Sequence, residues 1–315
     1  MQQRFFVSSI ASALLLSFAI GCGASADEST DADEGSSSDS TTLGAKVDDN
    51  GAADDTNAVA NGAAVNATST STNGAADEPA DTTPRTVVDS PKPTKQCSVT
   101  KDSQGFFVRT SAKSPYVAYV PASYTGNAPM KVVVGLHGCS DNMNNFATWG
   151  VNPYDGRKTQ QHIGISVGGE TGNNKCWSKG NDDAKVLAAV DDLAQCFWLD
   201  RSKVVLAGYS SGGELAYKVA LENADKFAGL LIEDSGLYAN ANPDALLKNA
   251  AWKLPIAHIT HTNDRVFPLA KVQADWAKIT AAGFPLSTRV TEGDHSGSSA
   301  DWNTFLLPKI AGWQR

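Results

Sequence analysis

Gly208-Tyr209-Ser210-Ser211-Gly212 is the stretch whose residue types and order lend themselves most directly to chemistry. It follows the apolar, β-branched run Val204-Val205-Leu206-Ala207 and leads into Leu215, Val219 and Ala220 at helical spacing. Strand, sharp turn and helix in that order is the context in which Gly-x-Ser-x-Gly presents a serine hydroxyl as a nucleophile. Small residues at 208 and 212 leave room where strand and helix crowd together. The helix N-terminus that follows favours developing negative charge. A Gly-rich turn that only packs a helix on a sheet is the bland reading; the flanking elements favour a catalytic Ser210.

A serine hydroxyl is a poor nucleophile near neutral pH and needs a base to take its proton during attack. Three polar clusters follow other apolar runs. They are His137-Gly138-Cys139-Ser140, His261-Thr262-Asn263-Asp264 and Glu292-Gly293-Asp294-His295-Ser296. With Ser210 they supply Ser, Asp and His in the chain order of the α/β-hydrolase arrangement. His295 is the expected base, because an imidazole titrates near working pH and can return the proton to the leaving group. Asp264 is the expected orienting carboxylate. The backbone N–H of Ser211 and that of Cys139 are the expected oxyanion donors.

Other residues compete for these roles. His258 falls inside a strand and reads as a core residue. His261 stands too close to Asp264 in the chain to be its partner and reads as structural. His162 reads as a surface or helix-end residue. His137 reads as an anchor of the oxyanion loop. Asp234 follows an earlier strand and is the best alternative acid, and Asp294 should face away from its neighbour His295. There is no His-Glu-x-x-His, no Cys-x-x-Cys and no glycine-rich phosphate loop, so neither a metal nor another cofactor is expected. No basic patch points to nucleic acid.

The elements that must position these residues alternate. Residues 116–120, 130–136, 163–167, 203–207, 227–232, 256–260 and 286–290 read as strands. Val186, Leu187, Val190, Leu193, Ala194 and Phe197 have helical spacing after Asn181-Asp182-Asp183. A second helix is expected from Leu269 to about Ala282, with Val272, Trp276 and Ile279 on one face. Trp302, Phe305, Leu306 and Ile310 form a closing helical face. The pattern predicts an α/β fold, a mostly parallel sheet with helices on both faces and its ligand loops at the carboxyl ends of the strands.

Ahead of this domain, expected at 96–315, residues 1–22 read as an export signal, with Arg4 before an apolar core. Ala19-Ile20-Gly21-Cys22 resembles a lipobox and would make Cys22 the lipidated anchor to a membrane. Cleavage after Ala24-Ser25-Ala26 would instead release the chain. Residues 23–95 hold 14 acidic and four basic residues and almost no large apolar ones, a composition that predicts a disordered linker. Such a chain would reach about 50 Å end to end. The net charge of the whole protein is −8, so the acidity resides in the linker and the domain is close to neutral.

Leu136-His137-Gly138-Cys139-Ser140, Lys175-Cys176-Trp177, Asp182-Asp183, Gly208 to Gly213, His261 to Asp264 with Pro268, and Gly293-Asp294-His295 occur in one order. That order resembles the polyhydroxybutyrate depolymerase and feruloyl or acetylxylan esterase group of α/β hydrolases. The resemblance covers most of Pro115 to Arg315. It implies an extracellular serine carboxylesterase with the triad Ser210, Asp264 and His295, acting through an acyl-enzyme on polymeric or polymer-linked esters. Members often carry Gly where Thr262 stands and an aromatic where Ser296-Gly297 follow His295, which bears on substrate contacts more than on the triad. Four cysteines besides Cys22, namely Cys97, Cys139, Cys176 and Cys196, fit two disulfides with three pairings; Cys139 with Cys176 is favoured. Only residues 233–255 separate two central strands where lids are often inserted, so a small lid and an open site are expected. His137, Trp177 and Tyr209 are the expected substrate contacts, with Tyr238, Trp252 and Phe267 as further lining candidates. A serine peptidase of the same fold and a non-catalytic surface-binding lipoprotein are the alternatives.

Overall fold

The computed structural model describes residues 88–95 and 97–315. The expected signal, the Cys22 lipobox and most of the linker lie outside the described residues. Eight strands form one sheet: β1 (Phe106–Thr110), β2 (Pro115–Tyr119), β3 (Met130–Leu136), β4 (Ile163–Val167), β5 (Leu199–Tyr209), β6 (Gly229–Glu233), β7 (Ile256–His261) and β8 (Leu286–Thr291). Their order is β1-β2-β4-β3-β5-β6-β7-β8. From β4 onward every neighbouring pair is parallel, while β1 with β2 and β2 with β4 are antiparallel. The helices are α1 (Met143–Phe146), α2 (Asp183–Ala194), α3 (Ser211–Glu222), α4 (Pro243–Asn249) and α5 (Leu269–Ala281), followed by short helical turns over 299–312.

Side chains alternate between two cores, as the pleat requires. Val132, Val134, Leu136, Val204, Leu206, Leu230 and Ile232 face one core with α2, α3 and α5. Val133, Val205, Ala207, Leu231, Ala257 and Ile259 face the other, where Phe146, Trp302, Phe305, Leu306 and Ile310 cover them. Both faces are apolar along these strands, so periodicity alone does not separate them from buried helix; their length and β-branching do.

Several expectations are corrected. β1 was not read, because Phe106 and Phe107 are buried while Val108 is exposed, and the run mimics a turn-flanked loop. β5 begins four residues before the expected Lys203. The closing segment is not one helix. It passes from α-helical to π-helical geometry, returns to α-helical at Pro308 and ends as a 3-10 turn, yet still buries Trp302, Phe305, Leu306 and Ile310. The folded part extends upstream of residue 96: Ser90 O accepts from Trp198 Nε1 at 2.6 Å, and Ser90 Oγ accepts from Arg201 N at 2.8 Å. Cys97 is bonded to Cys196, and Cys139 to Cys176. Among the described residues no helix is long and apolar enough to cross a membrane.

His162 is buried rather than at the surface, and its Nε2 lies 2.9 Å from Val151 O. Burial lowers its pKa to about 4; the Val151 carbonyl opposes this and Lys131 adds to it. A folded pKa below the unfolded value of roughly 6.5 means that stability is present above that pH and lost as pH falls toward 4. We predict that His162→Gln lowers stability by about 1–3 kcal/mol at pH 7. By pH 4.5 the gap from the unsubstituted protein should narrow by at least half. Calorimetric melting at the two pH values checks this, and a gap that widens on acidification contradicts it.

Candidate active site

Ser210 sits at the tip of the turn between β5 and α3 with φ +53° and ψ −124°, a conformation that is costly for a residue with a side chain. Surrounding hydrogen bonds impose it. Ser210 N–H donates to Glu233 O at 3.1 Å, and Ser210 O accepts from Gly213 N at 2.9 Å, Glu214 N at 3.1 Å and Ser235 Oγ at 2.8 Å. A Cβ on Gly212 would collide with the carbonyl oxygens of Leu136 and His137, so only glycine lets α3 press this closely on the end of β3.

Ser210 Oγ lies 2.9 Å from His295 Nε2, and His295 Nδ1 lies 2.9 Å from Asp264 Oδ2. The other Asp264 oxygen accepts from Val266 N and Phe267 N, both at 2.8 Å, which fixes the carboxylate. Tyr209 stacks on the His295 ring at 5.3 Å and 22°, and Phe267 flanks the ring at 5.7 Å. The three residues come from strand ends 54 and 31 positions apart in sequence, and the parallel sheet brings them to one edge.

The loop after β3 is held from behind. His137 is fully buried; its Nδ1 lies 2.8 Å from Gly138 O and its Nε2 lies 3.2 Å from Glu170. Trp177 Nε1 donates to His137 O at 2.8 Å, and the Cys139–Cys176 bond ties the same two loops. Asp182 in turn accepts from Thr171 N, Thr171 Oγ1, Ser178 N and Lys185 Nζ, holding the loop that carries Trp177. The Ser140 and Asp141 N–H groups are committed to Asn174 O and Gly138 O. Ser211 opens α3, so its N–H has no intrahelical acceptor.

The substrate contacts expected from sequence separate here. Tyr209 borders His295 and is half-buried. His137 and Trp177 are buried and brace the loop, so their position is one of support rather than contact. Trp252 is also corrected. It donates to Ala224 O at 2.5 Å, beyond the far end of α3 and about 18 Å of helix from Ser210. Tyr238 and Phe267 meet at 6.2 Å on the side of the site formed by the β6–β7 connection, whose one regular helix is α4. His258 is a core residue that pairs through Nδ1 with Tyr217 Oη and Trp276 Nε1, both at 2.9 Å; burial lowers its pKa to about 3. Asp294 accepts from Ser296 Oγ, away from His295.

Glu233 was not read from sequence, although a carboxylate ending the apolar run Leu230-Leu231-Ile232 is a visible signal. It accepts from Trp302 Nε1 at 2.6 Å and Ser298 N at 3.1 Å, linking the turn at Ser210 to the chain after His295. Its burial pushes its pKa well above the carboxylate range.

A serine-bearing strand-to-helix turn at the carboxyl edge of this mostly parallel eight-stranded sheet defines the α/β-hydrolase class. The chain belongs to the Dienelactone hydrolase family, whose model matches residues 101–296. It is 27% identical over 125 residues to a protein named "Probable feruloyl esterase C" in Aspergillus flavus, covering 39% of this chain and 46% of that one. It is 25% identical over 159 residues to feruloyl esterase C of Emericella nidulans, covering 49% and 56%. The chain thus spans about half the length of these curated relatives. The fold is similar to that of a solved ferulic acid esterase, with a TM-score of 0.51 at 16% identity over 65% of this chain and 96% of that one. It is similarly close to an S-formylglutathione hydrolase from Agrobacterium tumefaciens, with a TM-score of 0.51 at 17% identity over 69% and 99%.

Proposed function

We propose that the protein is an exported serine carboxylesterase acting on polymer-linked esters, of which feruloyl or acetyl esters of polysaccharides are the leading class and polyhydroxyalkanoates the second. The single observation that carries the reading is the continuous hydrogen-bonded chain from Ser210 Oγ through His295 to Asp264. In the proposed cycle, His295 Nε2 takes the Ser210 proton as Oγ attacks the ester carbonyl. Asp264 holds the imidazole in the tautomer with hydrogen on Nδ1 and stabilises it once charged. The Ser211 and Cys139 N–H groups receive the oxyanion. His295 then protonates the departing alcohol, leaving an acyl-serine. Water attacks that ester, giving its proton to His295, which passes it to the departing Ser210 Oγ as the acid is released.

Two disulfides support export, since such bonds persist in oxidising compartments. Attachment through a lipidated Cys22 is part of the proposal, with release after Ala26 as its alternative. The names of the feruloyl esterase relatives favour an aromatic acyl group.

A fluorophosphonate probe should label Ser210, mapped by peptide mass, and the protein should hydrolyse p-nitrophenyl butyrate. A panel of methyl ferulate, acetylated xylan, polyhydroxybutyrate film and a peptide p-nitroanilide assigns the substrate. Turnover of the anilide above the esters would move the protein to the peptidase reading. A folded protein that neither labels nor turns over would leave the binding-lipoprotein reading.

A further inference from the structure

Behind the first carboxylate–imidazole pair stands a second. Asp234 follows β6 and is fully buried. Its carboxylate accepts from His261 N at 3.1 Å and faces His261 Nδ1 at 2.8 and 2.9 Å from its two oxygens. The backbone of Asp234 is left-handed, with φ +43°, so the turn that places this carboxylate is itself costly. His261 Nε2 lies 3.5 Å from Asp301. The ring packs against Gly293, two residues before His295: a Cβ there would come within 2.8 Å of His261 Cδ2. Main-chain bonds from Thr262 N to Thr291 O and from Asn263 N to Gly293 O bind the same two segments.

One oxygen of Asp234, one of Asp264 and one ring nitrogen of His295 lie within 4.8 Å of one another. Two carboxylates therefore lie close to His295, and the proposed cycle uses only Asp264. We propose that Asp234 is a positioning residue of the triad, whose carboxylate, held by His261, stabilises through space the imidazolium that His295 becomes each time it takes the Ser210 proton. The inference rests on the reading of Ser210, His295 and Asp264 as a catalytic triad.

A negative charge within about 4–6 Å favours a charged imidazole, and exclusion of water weakens the screening between them. The ionisable groups around Asp234 are Asp264, His295 and His261 directly, Asp301 through His261, Glu233 beside it in the chain, and Tyr209. Burial raises the pKa of both Glu233 and Tyr209. Burial also raises Asp234, to about 6, while His261 opposes the shift. Asp234 is thus ionised at pH 8 and becomes neutral as pH falls through about 6.

The test is Asp234→Asn in the full chain, assayed on p-nitrophenyl butyrate from pH 5 to 9. Asparagine tolerates left-handed backbone and keeps an acceptor for His261 N. The expected result is a kcat about tenfold lower, with the acid limb of kcat/KM moved down by about half to one pH unit and KM within about twofold. Because the fold disfavours the charged form of Asp234, the variant should melt at or above the unsubstituted protein at pH 8. A merely structural role would lower melting temperature and activity together and leave the limb in place. An unmoved limb with activity within twofold overturns the proposal. Should Asp234→Asn fail to give a cooperative melt, Asp264→Ala carries the test, since it leaves Asp234 in place. Its turnover should remain at least about 10³-fold above Ser210→Ala, beyond the roughly 10²-fold margin that a triad keeps when its one carboxylate is lost, and a margin of about 10²-fold or less overturns the proposal. Absence of Ser210-dependent turnover in the unsubstituted protein would sink the triad reading itself; intact turnover with an unchanged Asp234→Asn profile sinks only this inference.

Discussion

Ser210→Ala is expected to lower kcat on p-nitrophenyl esters by about 10⁴- to 10⁶-fold, to abolish fluorophosphonate labelling and to leave the melting temperature within a few degrees. The reasoning is local. Ser210 Oγ accepts or donates one short contact, to His295 Nε2 at 2.9 Å, while the strained backbone at 210 is held by four main-chain and side-chain bonds that alanine retains. The substitution therefore removes the attacking atom without removing what shapes the turn. Residual hydrolysis would come from the oxyanion donors acting on bound ester and water alone. Loss of less than about 100-fold would mean that another group attacks the ester. Steady-state kinetics with active-site titration decide the matter, because titration excludes contaminating esterase.

Gly212→Ala is the second large effect. The added methyl would meet backbone oxygens, those of Leu136 and His137, and neither can swing aside as a long side chain would. Relief requires α3 to move away from the end of β3, and both proposed oxyanion donors border that contact: Ser211 precedes Gly212, and Cys139 follows His137 by two residues. Overpacking of this kind costs about 1–3 kcal/mol, and more where backbone is the obstacle. For a folded part of this size that lowers the melting temperature by about 2–4 °C per kcal/mol. Activity should fall at least about 100-fold, because displacement of an oxyanion donor costs that much by itself. Gly312→Ala is the control. Nothing lies within 4 Å of a Cβ there, so both melting and turnover should stay unchanged. Equal behaviour of the two variants would show that the close approach at Gly212 carries no energetic weight.

Much of the frame was legible before any coordinates. β3 and β4 were read to the residue and β7, β8 and α5 to within one, because β-branched runs of five to seven residues and a three-turn amphipathic stripe leave little choice of element. Gly-x-Ser-x-Gly between a strand and a helix was legible for the same local reason: a turn that tight tolerates few residue types. His162 and Trp252 were misread because burial of a side chain depends on which loops cover it. The sequence around His162, Gln160-Gln161-His162, is polar, yet Gln160 and His162 turn inward to bond with Asn152 and Val151. β1 was missed because an edge strand with one exposed face and a neighbouring turn lacks a distinctive period.

By itself the sequence determined an α/β alternation, the polar residues that end the strands, and a strand-to-helix turn at Ser210 requiring glycine at 208 and 212. Tertiary structure alone decided which polar residues meet. Asp234 and Asp264 both follow parallel strands, and each finds an imidazole, but Asp264 takes His295 and Asp234 takes His261. His137 and Trp177 neighbour the site in sequence and nevertheless brace it from behind. Local chemistry sets what a strand-end residue is able to do. Strand order, register and the curvature of each connecting turn, summed over the 85 positions from Ser210 to His295, set which partner lies within hydrogen-bonding reach. That reach is a property of the packed sheet and is not encoded in any single stretch of the chain.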